Sequence, residues 1–164
     1  MSNVWKVWGR AAGNAEFLDQ VQADARGAAE SLELRLSQYD VGEISRLLGV
    51  QEVYDALANI GQRIAALASP AQQGEDCREL VGILTIDRGL RNRMRQEGVA
   101  NLASQQFLHL NATEVALIED LLNDPSASQS MEDVTEEGWF TSCSLALLDD
   151  PAYNHDDYTP QEGG

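Results

Sequence analysis

The stretch "VQEVYDALANIGQRIAALA", residues 50–68, decides the fold class, because an apolar side chain recurs at every third or fourth position. That spacing places the apolar side chains on one face of an α-helix. The face is formed by Val50, Val53, Tyr54, Leu57, Ile60, Ile64 and Leu67. The stretch therefore predicts a helix with one buried face.

Helical spacing continues on the N-terminal side of this stretch. Residues 14–36 predict a helix that Asn14 caps, and its interior glycine allows it to form in two pieces. Asp40 and Glu43 have the spacing of a capping box, so we expect a further helix that begins there and ends at Gly49.

The residues on the C-terminal side of the opening stretch also predict helices. A break at 69–76 precedes a predicted helix at about 77–97 and a short one near 99–108. Asn111 and Glu114 form a second capping-box pattern, which starts another amphipathic helix.

No segment alternates like a strand next to hairpin turns, so the predicted fold is all-α. We expect a compact bundle of about five or six helices over residues 1–123. Its core should contain the following side chains of the apolar faces: Leu57, Ile60, Ile64, Ile83, Leu84, Leu90 and Ile118.

The charge of the chain narrows the class of partner. The 164 residues carry a net charge of −16, with Lys6 as the single lysine beside ten arginines. Nucleic-acid binding needs clustered cations, so we expect no nucleic-acid partner. Residues 124–164 hold ten carboxylates and no lysine or arginine. They predict a largely irregular acidic tail behind the helical body.

Several other classes of protein are disfavoured. No apolar run approaches the roughly 20 residues of a membrane span. Cys77 and Cys143 have no local partner spacing, which favours free thiols in a reducing cytoplasm over a disulfide. The two histidines, His109 and His155, stand outside any metal-binding or catalytic motif, and no phosphate-binding glycine loop is present. We therefore expect a cytoplasmic protein that is not an enzyme and needs neither metal nor cofactor.

Two stretches of the chain resemble each other. Residues 39–48 match 110–122 when shifted by 71 positions, so that Asp40 aligns with Asn111 and Glu43 with Glu114. Duplication of a helical hairpin would produce this match, and so would chance, because capped amphipathic helices are common.

Two groups of residues are candidates for binding. Arg88, Arg91 and Arg95 lie at helical spacing along one line, where they can receive carboxylates from a partner or from the chain's own tail. In the tail, apolar anchors flank a run of hydroxyl and thiol groups that an enzyme could modify. These tail residues are Trp139, Phe140, Thr141, Ser142, Cys143, Ser144, Leu145 and Leu148.

The stretches at 17–48 and 89–122, with their cap residues, resemble two kinds of small helical domain. One is the helical leader domain of ribosomally synthesised, post-translationally modified peptide precursors, including the split-borosin type. The other is the small alpha subunit of extradiol protocatechuate dioxygenases. The first resemblance implies a recognition body whose tail is the substrate of a modifying enzyme. The second implies an accessory subunit that covers a partner's active site and holds no metal itself.

The function expected from these observations is that of a non-enzymatic binding protein. Its helical body presents the C-terminal segment to a protein partner, in first place a modifying enzyme that acts on a precursor. An accessory subunit of an oxygenase is one alternative. An acidic interaction protein or inhibitor that blocks a basic partner surface is the other.

Overall fold

The computed structural model describes residues 3–67, 74–105 and 108–137, and in these ranges it contains ten α-helices and no strand. The helices are α1 Asn3–Gly13, α2 Ala15–Ala23, α3 Ala25–Ser31, α4 Gln38–Leu48, α5 Gln51–Leu67, α6 Glu75–Ile86, α7 Arg88–Glu97, α8 Val99–Gln105, α9 Ala112–Asn123 and α10 Pro125–Glu137. The all-α class is confirmed. The predicted number of five or six helices is wrong.

Two aspartates account for part of the difference. The predicted helix 14–36 divides at Asp24, and the predicted helix 77–97 divides at Asp87. Each has an extended backbone, and its carboxylate accepts a hydrogen bond from the amide three residues on, at 3.0 Å for Asp24 and 2.9 Å for Asp87. The side chain thus replaces the backbone carbonyl as acceptor, which ends one helix and starts the next.

The structure adds α1, which the periodicity did not predict. Trp5 and Trp8 of this helix are buried, and the Trp8 indole donates to the Thr85 hydroxyl of α6 at 2.8 Å. Where α1 meets α6, Gly9 and Gly82 face each other, and a Cβ on Gly82 would lie 2.8 Å from the Gly9 nitrogen. The two backbones can approach this closely only because both positions lack a side chain.

The last described helix, α10, corrects the expected start of the tail. The sequence predicts an irregular segment from residue 124, yet residues 125–137 are helical and pack on α5 and α6. Ala127, Met131 and Val134 have no exposed surface. The packed part of the chain therefore extends at least to Glu137, and the body is longer than the expected 1–123.

The predicted core is confirmed. All seven side chains expected there are buried in one hydrophobic cluster: Leu57, Ile60, Ile64, Ile83, Leu84, Leu90 and Ile118. Helix α5 packs against α1 and α10, and Val53, Leu57, Ile60 and Ile64 of its predicted face are buried. Leu67, expected on the same face, is exposed at the end of the helix.

The ten helices form two copies of one five-helix arrangement, α1–α5 and α6–α10. Gly9 and Gly82, at the crossing of the first helices, are 73 positions apart, as are the capping residues Asn14 and Asp87. From the third helix of each half onward, equivalent residues are 74 positions apart. Three pairs of buried side chains on α5 and α10 have this separation: Val53 and Ala127, Leu57 and Met131, Ile60 and Val134.

The connections inside each half repeat as well. The Leu34 amide donates to the Ala29 carbonyl at 3.0 Å, and the Leu108 amide donates to the Ala103 carbonyl at the same distance. Across the crossing, Gly9 faces the carbonyl of Arg78, while Gly82 faces that of its equivalent, Trp5. Such reciprocal contacts are those of two units related by an approximate two-fold axis.

The observed offsets between the two halves, 73 and 74 positions, differ from the expected offset of 71. Ser37, and not Asp40, caps α4: its hydroxyl accepts from the Asp40 amide at 3.0 Å, and Asp40 is buried inside the helix. The equivalent cap in the second half is Asn111, whose predicted capping box with Glu114 is present. Ser37 is an equally good cap and lies one turn earlier, so the helix starts there.

The glycine crossing yields a first prediction. A Cβ at Gly9 would lie 1.8 Å from the Arg78 carbonyl oxygen, so Gly9→Ala should force α1 and α6 apart and lower the free energy of unfolding by at least about 2 kcal/mol. Gly42→Ala is the matched control, because nothing lies within 4 Å of its added Cβ. That variant should gain up to about 1 kcal/mol from helix propensity. Urea denaturation of both proteins measures the difference, and equal stabilities would contradict the close crossing.

Candidate functional site

The arginine line of α7 holds the last described helix in place. Arg88 and Arg91 both pair with the Glu132 carboxylate of α10, Arg91 at 2.7 Å. Arg95 donates to the Leu122 carbonyl at 3.1 Å and to the Ser128 hydroxyl at 3.2 Å. Arg88 and Arg91 thus receive a carboxylate of the segment 124–164, whereas Arg95 contacts the end of α9 and a hydroxyl of α10.

Arg91 is the central contact of this group, because it is buried. Its guanidinium also donates to the Leu84 carbonyl at 2.6 Å and the Thr135 hydroxyl at 2.9 Å. Burial lowers the pKa of Arg91, and the Glu132 charge opposes that effect. In turn, hydrogen bonding from Arg88 lowers the pKa of Glu132. A buried cation needs such partners, so this contact fixes the position of α10.

Further polar contacts hold the start of α10 from the side of α5. Arg63 pairs with Asp124 at 2.6 Å, and Asn59 donates to the hydroxyls of Ser126 and Ser130 at 3.0 and 2.8 Å. We call the contacts of Arg63, Asn59 and the arginine line with this helix the α10 clamp. The clamp fixes the helix from which residues 138–164 continue.

The candidate tail residues lie outside the described part of the chain. These residues are Trp139, Phe140, Thr141, Ser142, Cys143, Ser144, Leu145 and Leu148. Glu137, the last described residue, raises the pKa of Arg46 of α4 through its charge, after the larger effect of Glu43. The last described residue of α10 thus lies on the side of α4.

Within the described ranges, few side chains have the environment of a catalytic group. Cys77 is buried, and loss of solvation raises the pKa of its thiol to about 12, so it is not a nucleophile at neutral pH. The His109 amide donates to the Asp76 carboxylate at 2.8 Å, an exposed contact. No group of three or more histidine, cysteine or acidic side chains is placed to hold a metal ion in this part of the molecule.

Glu79 is the titratable group that the sequence did not single out. It is 1% exposed on α6, and its Oε2 atom has no hydrogen-bond partner. Burial raises the pKa of this carboxyl to about 7, and the nearby Lys6 charge opposes the shift. Helix α6 is buried on nearly all sides, so its sequence shows no separate polar and apolar faces. The position of Glu79 in the sequence therefore does not distinguish it from an exposed glutamate.

Comparison with known proteins identifies no relative. The chain matches no family model, no curated protein and no solved structure. Among the described helices, none has the length and apolar character needed to cross a bilayer.

The clamp yields a second prediction. Glu132→Gln leaves the buried Arg91 without its anionic partner, so the free energy of unfolding should fall by about 1–3 kcal/mol. Glu97→Gln removes the same charge from the exposed pair with Arg93 and should cost less than about 1 kcal/mol. Urea denaturation compares the two variants. A cost at Glu132 no larger than at Glu97 would mean that the clamp does not hold α10.

Glu79 yields a third prediction, on pH. Its pKa in the folded chain, about 7, exceeds the ordinary value of 4.5, so between these pH values the folded chain holds a proton that the unfolded chain has lost. This group therefore lowers the free energy of unfolding as pH rises through that window, by at most about 1.4 kcal/mol per pH unit. Glu79→Gln should remove this contribution and be more stable than the natural chain above pH 7.

Denaturation at several pH values gives the free energy of unfolding of the natural chain and of the Glu79→Gln variant. The difference between these two free energies at each pH measures the effect. The control is Glu52→Gln, which alters an exposed glutamate of α5 and should leave the pH dependence of that difference flat. A natural chain and a Glu79→Gln variant with parallel pH profiles would show that the carboxyl is ionised in the fold.

Proposed function

We propose that this protein is a non-enzymatic binding protein whose helical body presents its C-terminal segment, residues 138–164, to a protein partner. The observation that carries the proposal is the α10 clamp. Buried apolar side chains, the buried Arg91 and four further polar side chains, those of Arg63, Asn59, Arg88 and Arg95, fix the helix directly before that segment. A body that holds the base of a segment in one place can offer that segment to a partner in a defined position.

The composition of the segment supports a recognition role. It has no lysine or arginine, and it contains aromatic, hydroxyl, thiol and leucine side chains within "GWFTSCSLALL", residues 138–148. A segment that serves only solubility needs charge but not these apolar groups. Large apolar side chains are the usual anchors of small interfaces.

The most specific form of the proposal is that of a precursor for a modifying enzyme. The run Thr141 to Ser144 offers three hydroxyls and one thiol as acceptor groups. The resemblance of the helical stretches to leader domains of modified peptide precursors points in the same direction. In this form the body is the recognition element and the segment is the substrate.

A second candidate function is that of an acidic protein that covers a basic surface of its partner. It is favoured by the net charge of −16 and by the use of four of the eleven cations, Arg63, Arg88, Arg91 and Arg95, inside the α10 clamp. Charge complementarity of this kind accelerates association and depends on salt.

Mass spectrometry of the protein purified from its native source separates these candidates. A mass shift confined to residues 139–164 supports the precursor function. An unmodified chain that co-purifies with a basic protein supports the acidic inhibitor instead. An unmodified chain bound to an oxygenase subunit would replace both with the accessory role.

A fourth prediction tests the segment directly in a binding or modification assay with the co-purified partner. Replacing Leu145 and Leu148 by serine should weaken association by more than about 1 kcal/mol, which is a factor of at least about five in Kd. Replacing Asp156 and Asp157 by asparagine is the control and should matter less, mainly at low salt, because exposed charges are screened. A leucine variant that binds like the natural chain at every salt concentration would contradict the proposal.

A fifth prediction concerns the body that presents the segment. A chain ended after Glu137 should keep a cooperative unfolding transition close to that of the full protein. A chain ended after Asn123 should lose several kcal/mol, because it exposes the apolar surface that Ala127, Met131 and Val134 cover. Thermal denaturation followed by circular dichroism measures both. Equal melting temperatures would mean that α10 adds nothing to the body.

A further inference from the structure

A cationic cavity lies between α1, α6 and the turn that follows α3. It has a volume of about 110 Å3, and its lining comprises Lys6 and Arg10 of α1, Glu75 and Arg78 of α6, and the partly buried Leu32 and Leu34. Three of the eleven cations of a chain with net charge −16 thus surround one small space, and one of them is its single lysine.

The lining holds its positive charges close together. Burial lowers the pKa of Arg78, and repulsion from Arg10 lowers it further. The Arg10 guanidinium lies over the Phe17 ring, 6.0 Å from its centroid, which limits its movement. In the described part of the chain, Lys6 and Arg10 form no ion pair with a carboxylate. Like charges in such proximity favour the binding of an anion.

The internal repeat provides a comparison within the same molecule. At the offset of 73, the positions of Lys6, Arg10 and Arg78 correspond to Glu79, Ile83 and Trp5. These three equivalents are all buried. The repeat therefore has a buried tryptophan, isoleucine and glutamate at the positions equivalent to the three cations. The cationic lining lies between the two halves and does not follow from the shared helix arrangement.

We propose that this cavity is a binding site for a phosphate group. The lining side chains carry three positive charges and one negative charge, which matches the charge of about −1.5 to −2 on a phosphate monoester at neutral pH. A carboxylate, with a single charge, would match it less well. The Arg10 guanidinium supplies forked donors and Lys6 a point charge, the combination that binds phosphate oxygens, and the charge of Arg78 lies beside them. The volume suits one phosphate group and is too small to enclose a whole nucleotide.

The site is tested with the full chain and inorganic phosphate at constant ionic strength. Calorimetry should detect binding, and the amide NMR shifts that phosphate induces should centre on Lys6, Arg10 and Arg78. Lys6→Gln and Arg10→Gln should each weaken the affinity about tenfold or more, because each removes a charged donor. Arg93→Gln, the matched control, removes the same charge from an exposed side chain paired with Glu97 and should leave the affinity within about twofold.

The remaining outcomes decide the proposal in either direction. A small phosphate monoester that binds more tightly than inorganic phosphate identifies the phosphate group of a larger molecule as the ligand, and equal or weaker binding of the monoester identifies the free ion. Acetate that binds as tightly as phosphate overturns the assignment to phosphate. Undetectable binding, amide shifts centred elsewhere, or equal losses in the Lys6, Arg10 and Arg93 variants overturn the site itself.

Discussion

The contact on which the rest of the structure depends is the close crossing of α1 and α6 at Gly9 and Gly82. Two helix backbones that touch leave no space for a layer of side chains between them, so the large residues Trp5 and Trp8 must pack to the sides. Trp8 of α1 donates to Thr85 of α6 and so links the two halves. Each half is built around its own first helix, and the crossing joins the two halves into one core.

The sequence predicted the parts of the fold in which periodicity and packing agree. The apolar faces of α5 and α9 and the seven core positions followed from helical spacing alone. Spacing did not locate the breaks at Asp24 and Asp87, because an aspartate is tolerated within a helix as well as at its end, and packing decides between the two. Helix α10 was missed for a related reason: two of its four buried residues, Ala127 and Ser130, are small or polar, so its apolar spacing is weak.

The candidate site also has one part that the sequence predicted and another that it did not. The arginine line on α7 was visible from its spacing, because residues on one helix face can be counted. Its partner Glu132 lies 41 residues from Arg91, and no local pattern links them. Glu79 was also invisible, since a buried glutamate and an exposed one look alike in sequence. Residues that share one helix face can be predicted from the sequence, whereas contacts between distant helices can be identified only in the structure.

The two-fold relation between the halves has a consequence for how this protein can vary. A dimer of two identical chains must carry the same residue at both members of every equivalent pair, so a substitution that helps one site disturbs its counterpart. A single chain that contains both halves is free of that constraint. It can hold Trp5 where close packing is needed and Arg78 at the matching place in the other half. Joining the halves covalently also keeps them at a high effective concentration, so asymmetry is gained without loss of assembly.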